Sequence, residues 1–431
     1  MNKKIQICEQ KQITGYTGGV LSVFVPLLIF YWFPESFLPE NISNTILIWF
    51  FTLGTILIVI EWLSKTSDFL KSNKLKNLNN SRKPYLQQVF ARCFGWMIVI
   101  GLVSFLYSVF PHYKSDFYNK VLNITPTILG TWLVLVFPYY YVTLKKISGL
   151  HWDRKDPSLL IYIFIKRLYK KTIGSAWFVI GGSKTNRNAW FGVIVKAFYL
   201  PLMGTFFFNN TQEYVGNFGA FVNQVQNSNL SFLSDFNSQR YLYQLVFSGA
   251  FLADVTLVVL GYAVTIRWID NGIRTVEQTG WGWALALACY SPFNSFMNNY
   301  FRWPGHSFFE FDNTFLKTTI MIIIMVLVWV YAWATLSFGL RFSNLTNRGI
   351  INTGAYAYIR HPAYASKLTV WWLQHLPAFT VAFTFNEFIG MLGWTFIYIG
   401  RALTEERHLS QDPSYVEYKK QVKYRFIPGI I

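Results

Sequence analysis

The sequence predicts an all-α, polytopic integral membrane protein. Of its 431 residues, 53% are hydrophobic and 19% aromatic, whereas only 13% are charged. Soluble globular domains carry a charged fraction near one quarter, so this composition indicates a chain built for lipid. The apolar residues also fall in runs of about 20, the length that a helix needs to cross a bilayer core of about 30 Å.

About ten such runs are separated by polar segments, and we expect each of them to form a transmembrane helix. The predicted spans lie near residues 18–34, 45–63, 93–111, 124–144, 189–208, 243–266, 281–299, 317–340, 366–384 and 387–403.

The charges of the connecting segments test this count. Lys and Arg are concentrated after the second and fourth spans, whereas the segments 35–44, 209–240 and 300–316 carry acidic residues and few bases. Cytoplasmic loops of membrane proteins are rich in Lys and Arg. Ten spans therefore place both termini and the C-terminal polar segments in the cytoplasm, and omitting the seventh would invert those segments.

The net charge of +18 is explained by the same topology. Basic loops between apolar spans are typical of contacts with anionic lipid headgroups. We therefore expect a membrane partner and no nucleic acid. The three cysteines, Cys8, Cys93 and Cys289, have neither disulfide nor metal-ligand spacing, so no metal site is predicted.

One polar segment is too short and too charged to be a span. Between Leu159 and Tyr169, apolar side chains alternate with Lys166 and Arg167 in a helical pattern. This pattern predicts an amphipathic helix that lies on the cytoplasmic leaflet.

Near the C-terminus, residues 341–364 form a polar island between two apolar runs and read RFSNLTNRGIINTGAYAYIRHPAY. Gly349 and Gly354 favour backbone turns, and Pro362 biases His361 away from helical geometry. Because Pro suits the first turn of a helix, we expect a shaped loop followed by a helix that begins at Pro362. The free amide groups of such a helix start attract a carboxylate or phosphate.

The Arg360–His361 pair has an ordinary interpretation as a positive anchor at the start of a span. Three features favour a functional site instead. Tyr356, Tyr358 and Tyr364 surround the pair with hydrogen-bonding groups, the glycines shape the loop, and an acidic pair closes the next hairpin.

That acidic pair, Glu405 and Glu406, is predicted at a helix C-terminus, where the helix dipole disfavours negative charge. Arg401 precedes Glu405 by four residues and can pair with it along the helix. Since adjacent helical residues point about 100° apart, Glu406 is expected to face the loop. Carboxylates commonly bind ribose hydroxyls, so Glu406 could hold a nucleoside there.

Together these motifs resemble the membrane methyltransferases that include isoprenylcysteine carboxyl methyltransferases and phospholipid N-methyltransferases. The family pattern of Gly-Pro-Tyr, Arg-His-Pro-x-Tyr, Glu-Glu and Ile-Pro-Gly is found here as Gly354-Ala-Tyr, Arg360-His-Pro-Ala-Tyr, Glu405-Glu406 and Phe426-Ile-Pro-Gly. Ala355 replaces the family's proline. The resemblance covers about residues 320–431, and it divides the chain into an N-terminal transmembrane region, 1–300, and a methyltransferase-like membrane domain, 301–431.

The resemblance implies S-adenosylmethionine as cofactor. By position, His361 and Tyr364 would contact it, with Tyr356 and Pro362 on the same surface. Two further assignments concern charged groups: Glu406, with Glu405, would bind the nucleoside or amino group of the cofactor, and Arg360 would hold a carboxylate, either the cofactor's or the acceptor's.

The methyl acceptor would arrive from the bilayer, as a prenylated cysteine-like carboxylate or a lipid headgroup. A carboxylate acceptor needs alignment and exclusion of water rather than a base. An amine acceptor would have to lose a proton, for which Glu406 or His361 could serve.

Two other classes of function remain open from the sequence. Sterol and steroid reductases, which use NADPH, look similar near their C-termini, but the Glu-Glu pair favours methyl transfer. A transporter or scaffold with a degenerate methyltransferase end would also account for the additional N-terminal spans.

Overall fold

A computed structural model of the chain describes residues 3–429, apart from residues 38–41, 73–81, 147–155, 171–178, 180–181, 228–234, 267–268, 270, 306 and 382. The described part is built almost entirely of helices, which confirms the predicted all-α class.

Fourteen α-helices, numbered here in chain order, and two very short strands are described. They are α1 (Lys3–Trp32), α2 (Ile42–Ser72), α3 (Arg82–Val109), α4 (Asp116–Lys146), α5 (Pro157–Tyr169), α6 (Lys184–Asn227), α7 (Phe236–Ala263), β1 (Thr275–Val276), α8 (Gly280–Leu287), α9 (Phe293–Asn298), α10 (Thr314–Leu336), β2 (Thr346–Asn347), α11 (Pro362–Gln374), α12 (Pro377–Thr380), α13 (Phe385–Leu409) and α14 (Pro413–Gln421).

Within the described residues, seven helices are long and apolar enough to cross a membrane. They cover Thr14–Trp32, Ser43–Leu63, Leu86–Val109, Asp116–Val142, Lys184–Asn227, Ser238–Ala263 and Thr314–Leu336. Each overlaps a predicted span, so the chain is an integral membrane protein by helix length and composition. The other three predicted spans are not among these seven helices.

The prediction of a continuous span at residues 281–299 is wrong. The segment forms two short helices, α8 and α9, which are separated at the Ser291–Pro292 peptide. Proline lacks the amide hydrogen that a continuing helix needs, and three asparagines and two serines reduce the apolar character of this segment.

The last two predicted spans also differ from simple transmembrane helices. Residues 366–384 are divided between α11 and the four-residue α12, with a break at His375 and Leu376. Residues 387–403 lie in the continuous helix α13, but this helix carries Glu387 and Arg401 as well as Glu405 and Glu406. Neither segment belongs to the seven apolar spans.

The chain forms two compact units. The first comprises residues 1–61, 206–264 and 277–431, and the second comprises 62–205 and 265–276. In the second unit, α5 packs on α3. Arg92 Nε lies 3.2 Å from Asp156 Oδ2, and the Tyr140 hydroxyl donates to the same oxygen at 2.9 Å. The predicted helix near 159–169 is therefore present as α5, and its position on a leaflet stays a prediction.

In the first unit, α1 and α11 both contact α10, and α7 packs against α1 and α10. At Gly15 of α1 the helices approach so closely that a Cβ atom would overlap the carbonyl oxygen of Leu336. About one helical turn before Leu336, Trp333 Nε1 donates a hydrogen bond to the Tyr16 hydroxyl at 3.0 Å. Helix α10 is therefore the central element of the unit that carries the polar island.

The island begins at a buried ion pair that fixes it to α2. Arg341 Nη1 lies 2.8 Å from Glu61 Oε1, and both side chains are 1% exposed. Removing one partner of a buried pair leaves an uncompensated charge, which costs about 3–5 kcal/mol.

We therefore expect Arg341→Met to lower the unfolding free energy by about 3–5 kcal/mol, because Glu61 is left buried without its counterion. Thermal unfolding of the detergent-purified protein measures this effect. The double variant Glu61→Gln with Arg341→Met should recover much of the loss. A double variant as unstable as the single one would show that the charge pair is not the cause.

Candidate functional site

The polar island separates into structural and cavity-facing parts. Arg348, which the sequence does not distinguish from Arg360, is used to cap a helix. Its guanidinium donates to the carbonyl oxygens of Gly261, Phe342 and Val264. Cations and donors at a helix C-terminus satisfy carbonyl groups that have no partner within the helix. Arg348 therefore holds the end of α7 to the island.

The loop after Arg348 turns at the two predicted glycines. Gly349 has a φ of 115° and Gly354 a φ of 64°, values that residues with a Cβ atom rarely adopt. Gly354 begins the 3₁₀ turn Gly354–Ala357, which brings Tyr356 to the cavity described below. The backbone oxygen of Tyr356 accepts a hydrogen bond from the Tyr418 hydroxyl at 2.8 Å.

The Arg-His-Pro segment adopts the predicted geometry. Pro362 is the first residue of α11, and His361 precedes it with a non-helical backbone. The backbone amides of Arg360 and His361 donate to the carbonyl oxygens of Tyr424 and Arg425, each at 2.9 Å. These two hydrogen bonds hold the segment after α14 against the start of α11. In the same segment, the Phe426 ring lies beside the His361 ring.

Glu406 is buried and lies at the centre of a cluster of hydrogen-bond donors. Its Oε1 lies 2.7 Å from Arg360 Nε and 3.2 Å from His361 Nε2, and Arg425 contacts both carboxylate oxygens at 3.1 Å. Lys419 Nζ lies 3.8 Å from Oε2. Burial alone would raise the pKa of Glu406, but hydrogen bonds from His361, Arg425 and Arg360 outweigh it and hold the pKa well below its usual range.

Glu406 faces the loop residues Arg360 and His361, which bind its carboxylate, whereas the sequence predicts that it holds a nucleoside there. The carboxylate is 3% exposed and is not part of the cavity wall. It is instead the group that gathers Arg360, His361 and Arg425. Arg360 therefore binds a carboxylate of the chain itself, whereas the sequence predicts that it holds one of the cofactor or the acceptor. Its guanidinium also donates to the carbonyl oxygens of Val422 and Lys423.

Glu405 points elsewhere, as the 100° rotation between neighbouring residues requires. It lines the cavity, where Oε1 accepts a hydrogen bond of 2.5 Å from the Tyr364 hydroxyl. Arg401 Nε lies 3.5 Å from the same oxygen, which confirms the predicted pairing four residues apart. The rings of His361 and Tyr364 stack in parallel, with centroids 5.5 Å apart and an interplanar angle of 4°.

These side chains border a cavity of about 170 Å³. Of the residues that the sequence predicts as a site, Tyr356, Arg360, His361, Tyr364 and Glu405 line it. Pro362 and Glu406 do not. Pro362 is buried at the start of α11, so its contribution is to direct the helix rather than to offer a surface.

The rest of the wall includes residues that the motifs could not reveal. Glu277 and Tyr290 lie within the N-terminal region to which the sequence assigned no role. Tyr331 comes from α10, Lys367 from α11 and Tyr398 from α13. The only sequence signal for these residues is that they are polar or amphipathic groups inside apolar segments.

The strong pairing of Glu406 predicts a specific response to acid. A carboxylate whose pKa is lower in the folded than in the unfolded chain stabilises the fold above its ordinary pKa, here 4.5, and loses this effect as the pH falls below that value. We expect the melting temperature of the wild type to fall more steeply from pH 6 to pH 3 than that of Glu406→Gln, which cannot titrate there.

At pH 7, Glu406→Gln itself should be destabilised by about 3–5 kcal/mol, because Arg360 loses a buried counterion. Glu417→Gln, which removes an exposed carboxylate paired with Lys420, is the matched control and should follow the wild type. Parallel pH profiles for wild type and Glu406→Gln would contradict the assigned role of the carboxylate.

Comparison with known proteins bears on the same region. The family model of the isoprenylcysteine carboxyl methyltransferase (ICMT) family matches residues 315–411. This range contains the Arg-His-Pro segment, Lys367, Glu405 and Glu406, so the predicted resemblance of the C-terminal region is confirmed. No curated protein and no solved structure matches the chain.

Proposed function

We propose that this chain is an integral membrane methyltransferase that uses S-adenosylmethionine and acts on a lipophilic acceptor. The match of residues 315–411 to the methyltransferase family supports the reaction class. The observation that carries the proposal further is the cavity wall, where Glu405, His361 and Tyr364 of the matched region face one space. The identities of the cofactor and of the acceptor can each be tested by binding.

The chemistry of the wall fits the proposed cofactor. A half-buried carboxylate, that of Glu405, can accept hydrogen bonds from ribose hydroxyls or an amino group. Tyr356, His361 and Tyr364 offer ring faces to adenine and to a sulfonium cation. The Thr346 hydroxyl lines the cavity and is buried, with no hydrogen-bond partner among the described residues. A bound polar ligand would supply that partner.

In this proposal the two glutamates have separate tasks. Glu405 contacts the cofactor, and Glu406 is a positioning residue that fixes Arg360 and His361 from behind the wall. S-adenosylmethionine, when bound, supplies a methyl group that is already activated on its sulfonium. The chain therefore needs to orient the acceptor and exclude water, effects that together lower the barrier by about 7–11 kcal/mol for well-aligned reactants.

The proposed acceptor is amphiphilic because the cavity extends beside a membrane span. Tyr331 and Thr335 belong to the apolar helix α10, and both line the cavity that Glu405 borders. One wall is therefore polar and contains the island, and another is aromatic and belongs to the span. A lipid-borne carboxylate or a lipid headgroup suits such a space.

The cofactor can be tested by binding. We expect S-adenosylhomocysteine at 100 times its dissociation constant to stabilise the detergent-purified protein by about 2.7 kcal/mol. Glu405→Gln keeps the shape of the side chain but removes its charge, so its affinity should fall at least tenfold. Thermal unfolding with increasing ligand measures both effects.

Glu417→Gln is again the control and should bind as the wild type does. NADPH should give no stabilisation, because a nicotinamide site is expected of a reductase and not of a methyltransferase. Stabilisation by NADPH alone, or by neither compound, would overturn the proposal.

We also infer that the site opens to the cytoplasm, where S-adenosylmethionine is available. Because the predicted seventh span is two short helices, this orientation does not follow from the count of spans and rests on access to the cofactor. This orientation can be tested by labelling cysteines introduced at exposed positions. A cysteine at Lys423, beside the site, should resist a membrane-impermeant maleimide in intact cells and react after lysis. A cysteine at Glu35, which the loop charges place on the opposite side, should react in intact cells. The reverse pattern would refute this orientation.

A further inference from the structure

The cavity is lined by four arginines and one lysine, and only the lysine lacks an acceptor among the described residues. Arg341 pairs with Glu61 and Arg360 with Glu406. The other two arginines are also satisfied. Arg348 donates to backbone carbonyls, and Arg401 contacts Glu405 and the amide oxygen of Asn344.

Lys367 is surrounded by aromatic rings instead. Its Nζ lies 5.1 Å from the ring centroid of Trp371, 5.4 Å from that of Tyr398 and 5.7 Å from that of Tyr331. The faces of aromatic rings attract an ammonium group, but they provide no hydrogen-bond acceptor comparable to an anionic oxygen. Three donors of the ammonium are thus left for another partner at the cavity wall.

Within the chain, Cys289 and the α7 residue Asp254 interact favourably with the charge of Lys367, and Asp254 is the carboxylate of the two. No ion pair within 4.0 Å joins Asp254 and Lys367 in the described structure. Asp254 does not line the cavity, and its Oδ2 accepts a hydrogen bond from the Tyr331 hydroxyl at 2.9 Å. Asp254 therefore orients Tyr331, one of the rings around Lys367, rather than filling the space in front of the ammonium.

An ammonium group among aromatic side chains beside an apolar span is costly without a counterion. Ionisable residues in such places are rare and commonly mark a binding site. Arg401, the other cation near Tyr398, is already paired with Glu405. The charge that remains available to a ligand on this side of the cavity is that of Lys367.

We propose that Lys367 is a specificity-determining residue that binds an anionic oxygen, of a carboxylate or a phosphate, on the methyl acceptor. The proposal rests on the function proposed above and assigns the acceptor side of the cavity. Glu405 and Lys367 then lie on walls of opposite charge, the first facing the cofactor and the second facing the acceptor. Tyr331 and Tyr398, which also line the cavity, would cover the apolar part of the same acceptor.

The test uses two anionic probes and their neutral counterparts. The carboxylate probe is N-acetyl-S-farnesylcysteine, compared with its carboxamide, and the phosphate probe is dioleoylphosphatidic acid, compared with dioleoylglycerol. Binding is measured by thermal unfolding of the full-length protein in detergent, with and without S-adenosylhomocysteine. The probe that stabilises the wild type identifies the source of the anionic group.

We expect at least one anionic probe to bind the wild type, and Lys367→Met to weaken that binding at least tenfold. Lys367→Arg keeps the charge and should retain most of the affinity. Binding of the neutral counterpart should be unchanged by either substitution. Lys317→Met is the matched control, because Lys317 also lies over an aromatic ring, that of Phe236, but outside the cavity.

Stabilisation by S-adenosylhomocysteine should be unchanged in Lys367→Met, which separates this proposal from the one on the cofactor. If that compound fails to stabilise the wild type, the methyltransferase proposal is wrong, whereas anion binding that depends on Lys367 would still support the acceptor site. Three results would overturn the assignment of Lys367: no binding of either anionic probe, equal binding by wild type and Lys367→Met, or equal loss in Lys367→Arg and Lys367→Met.

Discussion

The site depends on the contacts of the buried Glu406 carboxylate with Arg360, His361 and Arg425. A buried charge is tolerated only where opposite charges and hydrogen-bond donors compensate the loss of water, and here these groups come from two different segments. Arg360 and His361 precede α11, and Arg425 follows α14. Because one carboxylate joins these segments to α13, the loop, the hairpin and the C-terminal segment have to be correctly placed together. The cavity wall is a product of that placement.

Adjacent glutamates consequently acquire different chemistry. Glu406 is buried among cations and stays ionised, whereas the side chain of Glu405 is 30% exposed and shares its charge between Arg401 and the Tyr364 hydroxyl. A helix turns by about 100° between them, which is enough to direct one inward to the scaffold and the other to the cavity. Arg401 lies beneath Tyr364 and Tyr398, so the cavity-facing glutamate is itself supported by a positioned cation.

Sequence reasoning predicted most of the apolar helices because hydropathy over about 20 residues is a local property. It also predicted the start of α11, since Pro362 determines local backbone geometry. It failed at 281–299, where overall apolar composition concealed Pro292 and several polar residues. It could not predict the partners of Glu406, because the contact with Arg425 depends on how α14 folds back. Lys367 was hidden for a related reason, since one lysine within an apolar run is ordinarily treated as part of a span.

The close contact at Gly15 has a consequence for how the protein is made. Helix α1 is synthesised first, but its partner at Leu336 emerges more than 300 residues later. At about 5–20 residues per second, ribosomes need roughly 15–65 s to reach it. During that interval the surface of α1 around Gly15 lacks the partner that covers it in the folded protein. The order of chain synthesis thus makes assembly of the region around the cavity a late event, completed only after Leu336 has been synthesised.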